Sequence, residues 1–284
     1  MGSNHSIKKV ISKIKSELKD IYPDHEISGF TRLIFEHVVG YSTVQVHLNQ
    51  EKEISLNKLD QIIEIVEDLK KQKPIQYIFK ETEFYDLRFK LNSSVLIPRQ
   101  ETEELVDLII KQNKKDRIKI LDIGSGSGCI AISLAKFITN SVVTALDISE
   151  HALHVVKQNS ILNKVDIEVL QYDILIDLKL NRKFDIIVSN PPYVTDSEKT
   201  LMNKNVLNNE PHLALFVPNN EPLKFYKAIT HFAKNHLETN GKLYFEINES
   251  FGKETVNVLE LNGFSNISII KDLNGKDRIV FGDL

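Results

Sequence analysis

The feature that most restricts the fold is a change of pattern near Gln100, after which short apolar stretches suited to strands alternate with stretches suited to helices. Strands are expected at 118–122, 142–147, 167–171, 184–189, 242–247, 267–271 and 278–281, and helices at 130–137, 151–162, 223–237 and 253–261. Crossovers long enough to hold a helix join parallel strands, so this part of the chain predicts an α/β fold with a mostly parallel sheet covered on both faces. The last two strands are separated only by Asp272-Leu273-Asn274-Gly275. That is too short for a helical crossover, and they are expected to pair as an antiparallel hairpin.

Upstream, the period is helical. Leu56, Leu59, Ile62, Ile63, Val66 and Leu69 recur at steps of three and four, as do Ile7, Ile11, Ile14 and Leu18, which places each set on one helix face. Gly29, and Gly40 with Tyr41-Ser42, read as breaks between helices. From Pro74 to Pro98 the residues Phe84, Leu87, Phe89, Leu91, Val95 and Ile97 approach alternation, with Asn92-Ser93-Ser94 as a turn, which reads as a hairpin. The expected organisation is a helical domain over 1–73, a hairpin connector over 74–99 and a sheet domain over 100–284. The helical part carries no chemical motif, so its expected role is that of a docking or lid domain.

Composition narrows the function. With 42% hydrophobic and 26% charged residues the chain is that of an ordinary globular protein. It has no apolar run of the roughly 18 residues that a membrane span needs. Residues 1–9 are polar with no apolar segment behind them, so no secretory signal is read and a cytoplasmic location is expected. Lys and Arg number 36 against 39 Asp and Glu, a net charge of −3. That balance argues against stable binding to nucleic acid, which favours a positive surplus. Cys129 is the single cysteine, which excludes an intrachain disulfide and a cysteine zinc cluster.

Two stretches carry chemistry. In Leu121-Asp122-Ile123-Gly124-Ser125-Gly126-Ser127-Gly128-Cys129-Ile130, a strand runs through a glycine-rich turn into a helix, the setting of a nucleotide site. The spacing is G-x-G-x-G. A dinucleotide fingerprint would need glycine where Cys129 stands, and no Lys-Ser/Thr pair follows to make a P-loop. Asp147, 23 residues beyond Gly124, ends the next strand, where a carboxylate can accept from both hydroxyls of a ribose. These residues predict an adenosine-containing ligand; a plain strand–helix turn is the alternative.

The other stretch is Asn190-Pro191-Pro192-Tyr193, directly after the apolar strand Ile186-Ile187-Val188. In an open sheet this position lies beside the glycine turn, at the carboxyl ends of the strands. Prolines have no backbone donor, which leaves nearby carbonyls free to accept. A planar NH₂ group here can donate to the Asn190 side chain and the Pro191 carbonyl, with Tyr193 covering its face. An ordinary strand-ending turn is the alternative reading.

Together, the glycine turn, Asp147 and Asn-Pro-Pro-Tyr resemble the S-adenosylmethionine-dependent amino-group methyltransferases. Within them, Pro74-Ile75-Gln76-Tyr77-Ile78, the run from Val95 to Glu103, Glu210-Pro211-His212-Leu213-Ala214-Leu215 and the run from Lys271 to Arg278 are similar to the release factor glutamine methyltransferases. The resemblance covers about residues 74 to 281. It departs from the family pattern at Lys80 and Asp86, where glycine is usual, and at Gln100, where proline is usual.

The resemblance implies a Rossmann-like seven-stranded methyltransferase sheet and transfer of a methyl group to the N5 nitrogen of the Gly-Gly-Gln glutamine in peptide chain release factors. It implies S-adenosylmethionine as cofactor, S-adenosylhomocysteine as product, no metal, and a monomer. The expected cofactor residues are Gly124, Ser125, Gly126, Ser127, Gly128, Asp147 and Asn190, with Asp173 and Ile174 near the adenine. Asn190, Pro191, Pro192 and Tyr193 are expected at the substrate, and Asn190, Pro191 and Tyr193 in catalysis. The alternatives are methylation of a nucleic-acid base amino group and a non-catalytic binding module. Three further features are weighed as side issues: His151 and His154 as metal ligands, Cys129 as a nucleophile, and Arg99, Glu101 and Glu103 as ion pairs ordering the connector. For these the competing readings are exposed helix residues, packing behind the glycine turn, and a solvated charge run.

Overall fold

The computed structural model describes residues 5–113, 117–176 and 179–284. The chain forms two compact units, Met1–Lys80 with Lys204–Asn209, and Glu81–Asn203 with Glu210–Leu284.

The first unit is helical: α1 (Ile7–Leu18), α2 (Asp24–Ile34), α3 (Thr43–Leu48), α4 (Leu56–Lys70) and α5 (Ile75–Phe79), joined by the returning helix Lys204–Asn209. Ile7, Val10, Ile14 and Leu18 of α1 pack against Ile27, Ile34, Phe35 and the buried stripe of α4. That stripe is Leu59, Ile62, Ile65, Val66 and Leu69. Leu56 and Ile63, which the sequence pattern assigns to the same face, are exposed instead. At 3.6 residues per turn they sit roughly 100–120° from the middle of the buried arc. Gly29 lies inside α2 and breaks nothing, whereas Gly40, at φ +77°, ends the helical run before Ser42 caps α3 through a reciprocal pair with Gln45. Asn209 Nδ2 donates to the Gln72 carbonyl (3.3 Å) and so ties the returning helix to this unit.

The expected hairpin connector over 74–99 is corrected. Residues 75–79 are helical and belong to the first unit; the hairpin is limited to β1 (Glu81–Phe84) and β2 (Leu87–Lys90) and belongs to the second. The departures from the family pattern now have a physical setting. Lys80 closes α5 at φ +60°, and Tyr85 and Asp86 form the tight turn at φ +48° and +59°. Both positions where glycine is usual are left-handed, which a side chain occupies at a cost of about 1–2 kcal/mol. Gln100 is the first residue of the next helix, the position that proline favours.

The second unit continues with α6 (Gln100–Gln112), β3 (Lys119–Ile123), α7 (Cys129–Phe137), β4 (Val142–Asp147), α8 (Glu150–Asn163), β5 (Glu168–Gln171) and β6 (Phe184–Ser189). The two-residue strands β7 (Val194–Thr195) and β8 (Phe216–Val217) follow, on either side of α9 (Lys204–Asn209), the returning helix of the first unit. The chain ends with α10 (Lys224–His236), β9 (Leu237–Glu246), α11 (Gly252–Leu261), β10 (Ser265–Lys271) and β11 (Asp277–Asp283). The seven-stranded sheet has the order β10-β11-β9-β6-β3-β4-β5. Its strands are parallel from β9 to β5, and β11 runs antiparallel to β9 and β10. This is the expected mostly parallel sheet with a terminal antiparallel hairpin.

Observed bounds lie within two residues of the expected ones, except that β9 begins at Leu237. The helix α6, absent from the expectation, buries Leu105, Val106 and Ile109. Alternation along β3 sends Ile120 into the layer packed on α6 and α7, and Leu121 and Ile123 into the opposite layer with α10. The chain leaves β3 toward β4 and β5, then returns to β6 on the other side. Such a switch point is where open α/β sheets leave a crevice.

Candidate functional site

A cavity of about 410 Å³ opens at the carboxyl ends of these strands, within the second unit. It has the size of a small-molecule site, about 300–1,000 Å³. The glycine turn forms one wall. Leu146 O accepts from Gly124 N (2.8 Å) and Ser125 N (3.0 Å), and Ser125 O accepts from Gly128 N (2.7 Å). Gly124 (φ +74°), Gly126 (φ +54°) and Gly128 (φ +81°) are all left-handed. A Cβ at Gly124 or Gly126 would meet only open space, and both residues line the cavity; one at Gly128 would press on Ile132 and Val156 at 3.1–3.2 Å. The first two glycines therefore expose bare backbone to a ligand, and the third lets α7 pack closely on α8. Ser125 and Ser127 are buried and do not line the cavity.

Asp147 lines the cavity beside the turn. Its two oxygens accept from Gly126 N and Ser149 N, each at 2.9 Å, which leaves a lone pair on each for a ligand hydroxyl. Burial holds its carboxyl above the ordinary value, against the pull of those amides. Asp173 and Ile174, just past β5, also line the cavity; the Asp173 carboxylate accepts from Leu175 N (2.9 Å).

The opposite wall holds Asn190, Pro191 and Pro192. Asn190 Nδ2 donates to Thr102 Oγ1 (3.2 Å), so its side-chain oxygen remains as an acceptor. Thr102 in turn donates to Glu246 Oε2 (2.6 Å), and Tyr193 donates to Glu246 Oε1 (3.0 Å). Tyr193 follows Asn190, Pro191 and Pro192 in the chain and is not itself among the residues that line the cavity. Burial and the neighbouring Glu246 push its hydroxyl well above the usual phenol range, so it is a neutral donor. Burial also raises Glu246, while the Thr102 and Tyr193 hydroxyls and the Arg278 charge pull it down.

Residues to which the sequence assigned no site role complete the walls. Glu210, buried, pairs with Arg99 (2.6 Å) and accepts from Ile97 N (3.2 Å), which holds the lining segment 94–96 beside Pro211, Leu213 and Ala214. Arg99 therefore does order its loop, with Glu210 as partner. Glu103 instead accepts from Tyr85 N in the hairpin turn (2.8 Å). Asn159 on α8 bonds to Lys90 N and O and to Ser127 O, tying the β1–β2 hairpin to the glycine turn. Glu246 offers one local signal, an acid closing an apolar strand as Asp147 does.

The side issues resolve simply. Burial pushes the Cys129 thiol up to about 12, so it is protonated and no nucleophile. His154 bonds to Gln158 on its own helix, and among the described residues no group of three acidic, histidine or cysteine side chains is placed to hold a metal. No helix among them is long and apolar enough to cross a membrane.

The "PrmC N-terminal domain" family matches residues 9–79 and the "Methyltransferase small domain" family matches residues 100–215. The chain is 48% identical over 278 residues to the "Release factor glutamine methyltransferase" of Flavobacterium psychrophilum, with 96% of this chain and 98% of that one covered. It is 42% identical over 273 residues to the protein of that name from Bacteroides thetaiotaomicron, again covering 96% and 98%. Among solved structures, a methyltransferase from Pyrococcus furiosus superposes with TM-score 0.53 at 18% identity, covering 80% of this chain and 98% of that one. A Thermus thermophilus 16S rRNA N2 G1207 methyltransferase superposes with TM-score 0.51 at 16% identity, covering 72% and 49%. At these identities the structural likeness speaks for the fold alone.

Proposed function

The chain belongs to the release factor glutamine methyltransferase family, and from that premise we propose that it transfers a methyl group from S-adenosylmethionine to the N5 nitrogen of a release factor's Gly-Gly-Gln glutamine. One observation carries the reading: the glycine turn with Asp147 and the Asn190–Pro191 acceptors face the same cavity. The fit to the cofactor rests on the two glycines whose missing Cβ leaves the wall open, and on the spare lone pairs of Asp147. When bound there, S-adenosylmethionine supplies an electrophilic methyl group.

The protein's own residues do the rest. Asp147 accepts from the ribose hydroxyls, the bare backbone at Gly124 and Gly126 admits the methionine part, and Asp173 and Ile174 border the adenine. Asn190 Oδ1 and the Pro191 carbonyl accept the two hydrogens of the glutamine NH₂. A glutamine nitrogen is a poor nucleophile because its lone pair is delocalised into the carbonyl. The two acceptors favour a more tetrahedral nitrogen and stabilise the positive charge that develops on it as the N–CH₃ bond forms and the S–CH₃ bond breaks. The methylated nitrogen gives up one proton to solvent, and the leaving group is S-adenosylhomocysteine. Positioning of this kind contributes about 7–11 kcal/mol in favourable intramolecular reactions. Apolar Ile123, Pro192 and Phe225 also line the cavity and limit the water beside the reacting groups.

The helices up to Lys80 carry no such chemistry, and we assign them the grip on the protein substrate. The partner then places the enzyme in the cytoplasm. The test is single-turnover methyl transfer to release factor at saturating cofactor. Asn190→Ala should be about 10²–10³ slower, as for loss of one preorganised charge-stabilising group, with cofactor affinity little changed. Equal rates in the variant and the wild type would reduce Asn190 to a turn residue.

A further inference from the structure

We propose that Thr102 and Glu246 are positioning residues that hold the Asn190 carboxamide with its oxygen, rather than its nitrogen, toward the acceptor amide. This rests on the reading of Asn190 as a receiver of the glutamine NH₂. A carboxamide has nearly the same shape with oxygen and nitrogen exchanged, so packing alone hardly distinguishes the two orientations. Only one orientation suits the reaction, since an NH₂ aimed at the substrate NH₂ would set donor against donor.

A lone hydroxyl cannot make the choice, because it donates to an amide oxygen as readily as it accepts from an amide nitrogen. Thr102 is not left alone. It is buried, and its single proton is taken by Glu246 Oε2 at 2.6 Å, leaving only a lone pair for Asn190 at 3.2 Å. Glu246 is buried as well, and its other oxygen is taken by the Tyr193 hydroxyl at 3.0 Å. An ionised carboxylate only accepts, so both hydroxyls point inward to it and the chain of bonds has one direction. Burial raises the Glu246 carboxyl, and against it the Thr102 and Tyr193 hydroxyls and the charge of Arg278, whose Nε pairs with Asp272 at 3.1 Å, pull toward the ionised form. Glu246 thereby sets the polarity, Thr102 relays it, and Asn190 presents its oxygen. Neither Thr102 nor Glu246 lines the cavity, so their effect on transfer runs through Asn190.

The experiment is a mutant cycle read by single-turnover transfer to release factor and by calorimetric affinity for S-adenosylmethionine. Thr102→Val keeps the shape and loses the relay; it should slow transfer about tenfold, the worth of a neutral hydrogen bond at the upper end, with cofactor affinity within about twofold of wild type. Thr102→Ser keeps the hydroxyl and should transfer at close to the wild-type rate. In the Asn190→Ala background, Thr102→Val should slow transfer no further, because the group it orients is gone. Glu246→Gln, which keeps the side-chain shape, is a second arm read in the same two backgrounds should Thr102→Val fail to fold. Wild-type rates for the Thr102→Val enzyme, or the same slowing with and without Asn190, overturn the positioning role while leaving the proposed function in place. A wild-type enzyme that transfers no methyl to release factor overturns the function, and this inference with it.

Discussion

Replacing Asp122 with Asn should make the protein more stable at alkaline pH and leave it nearly unchanged in acid. Asp122 is fully buried on β3, facing α7. Its Oδ2 accepts from Ala131 N (3.1 Å), and its Oδ1 has no partner among the described residues. Burial, with the charge of Asp147 nearby, pushes its carboxyl up from 3.8 to about 7. Below pH 3.8 the group is protonated in both folded and unfolded chains and costs nothing. Between pH 3.8 and 7 the unfolded chain ionises first, so the unfolded state binds fewer protons and stability falls as pH rises. Above pH 7 the loss is complete, and at 1.36 kcal/mol per pKa unit it approaches roughly 4 kcal/mol as an upper bound. Asparagine keeps the shape and the oxygen that faces Ala131 but never ionises. Urea unfolding followed by circular dichroism at pH 5 and pH 8.5 is the assay, with the advantage of Asp122→Asn expected to grow between the two. A variant that is destabilised by the same amount at both values would refute the burial argument.

Three other substitutions separate binding from folding in and beside the glycine turn. Asp147→Ala removes the acceptor for Gly126 N and Ser149 N as well as for a ribose, and should weaken S-adenosylmethionine by about 1.5–3 kcal/mol in calorimetry. Unchanged affinity would remove Asp147 from the site. Gly126→Ala places a methyl group in open cavity space and should mainly lower cofactor affinity. Gly128→Ala meets Ile132 and Val156 and should mainly lower the unfolding midpoint, each change also costing about 1–2 kcal/mol for a left-handed side chain.

What the sequence made legible was what is local. The glycine turn, Asp147 and Asn190 each sit at a strand end, where the period of the strand breaks off and a turn begins. The parallel sheet follows from crossover length, and the terminal hairpin from the four residues that join its strands. Illegible were the contacts made across long stretches of chain. Thr102 meets Asn190 and Glu246 only once α6 is laid against the sheet, across separations of 88 and 144 residues. Because α6 itself was not expected, ion pairs of Arg99, Glu101 and Glu103 could not be told from a solvated charge run. The bond from the Tyr193 hydroxyl to Glu246, 53 residues away, is another such contact. Lys80 and Asp86 show the reverse, departures from a family pattern that leave the backbone conformation intact.

The buried acids of the second unit share a placement that follows from the kind of chemistry the cavity serves. Transfer to an amide nitrogen needs no strong base, so what the protein must secure is the position of loops, which by themselves are the least rigid parts of a fold. Glu246 anchors the turn that carries Asn190, Glu210 anchors the 94–96 segment through Ile97 N and Arg99, and Asp147 fastens the glycine turn through Gly126 N. Burying a carboxylate is costly unless donors surround it, and removing one of those donors then leaves the charge exposed to that cost. Each loop is therefore held by a group that strongly disfavours its departure, which a hydrophobic contact of similar size would not do with the same directionality. The walls of the cavity are thus kept in place by buried carboxylates, Glu246 and Glu210 behind them and Asp147 on the wall itself. The groups proposed to meet the reacting nitrogen, Asn190 Oδ1 and the Pro191 carbonyl, are neutral.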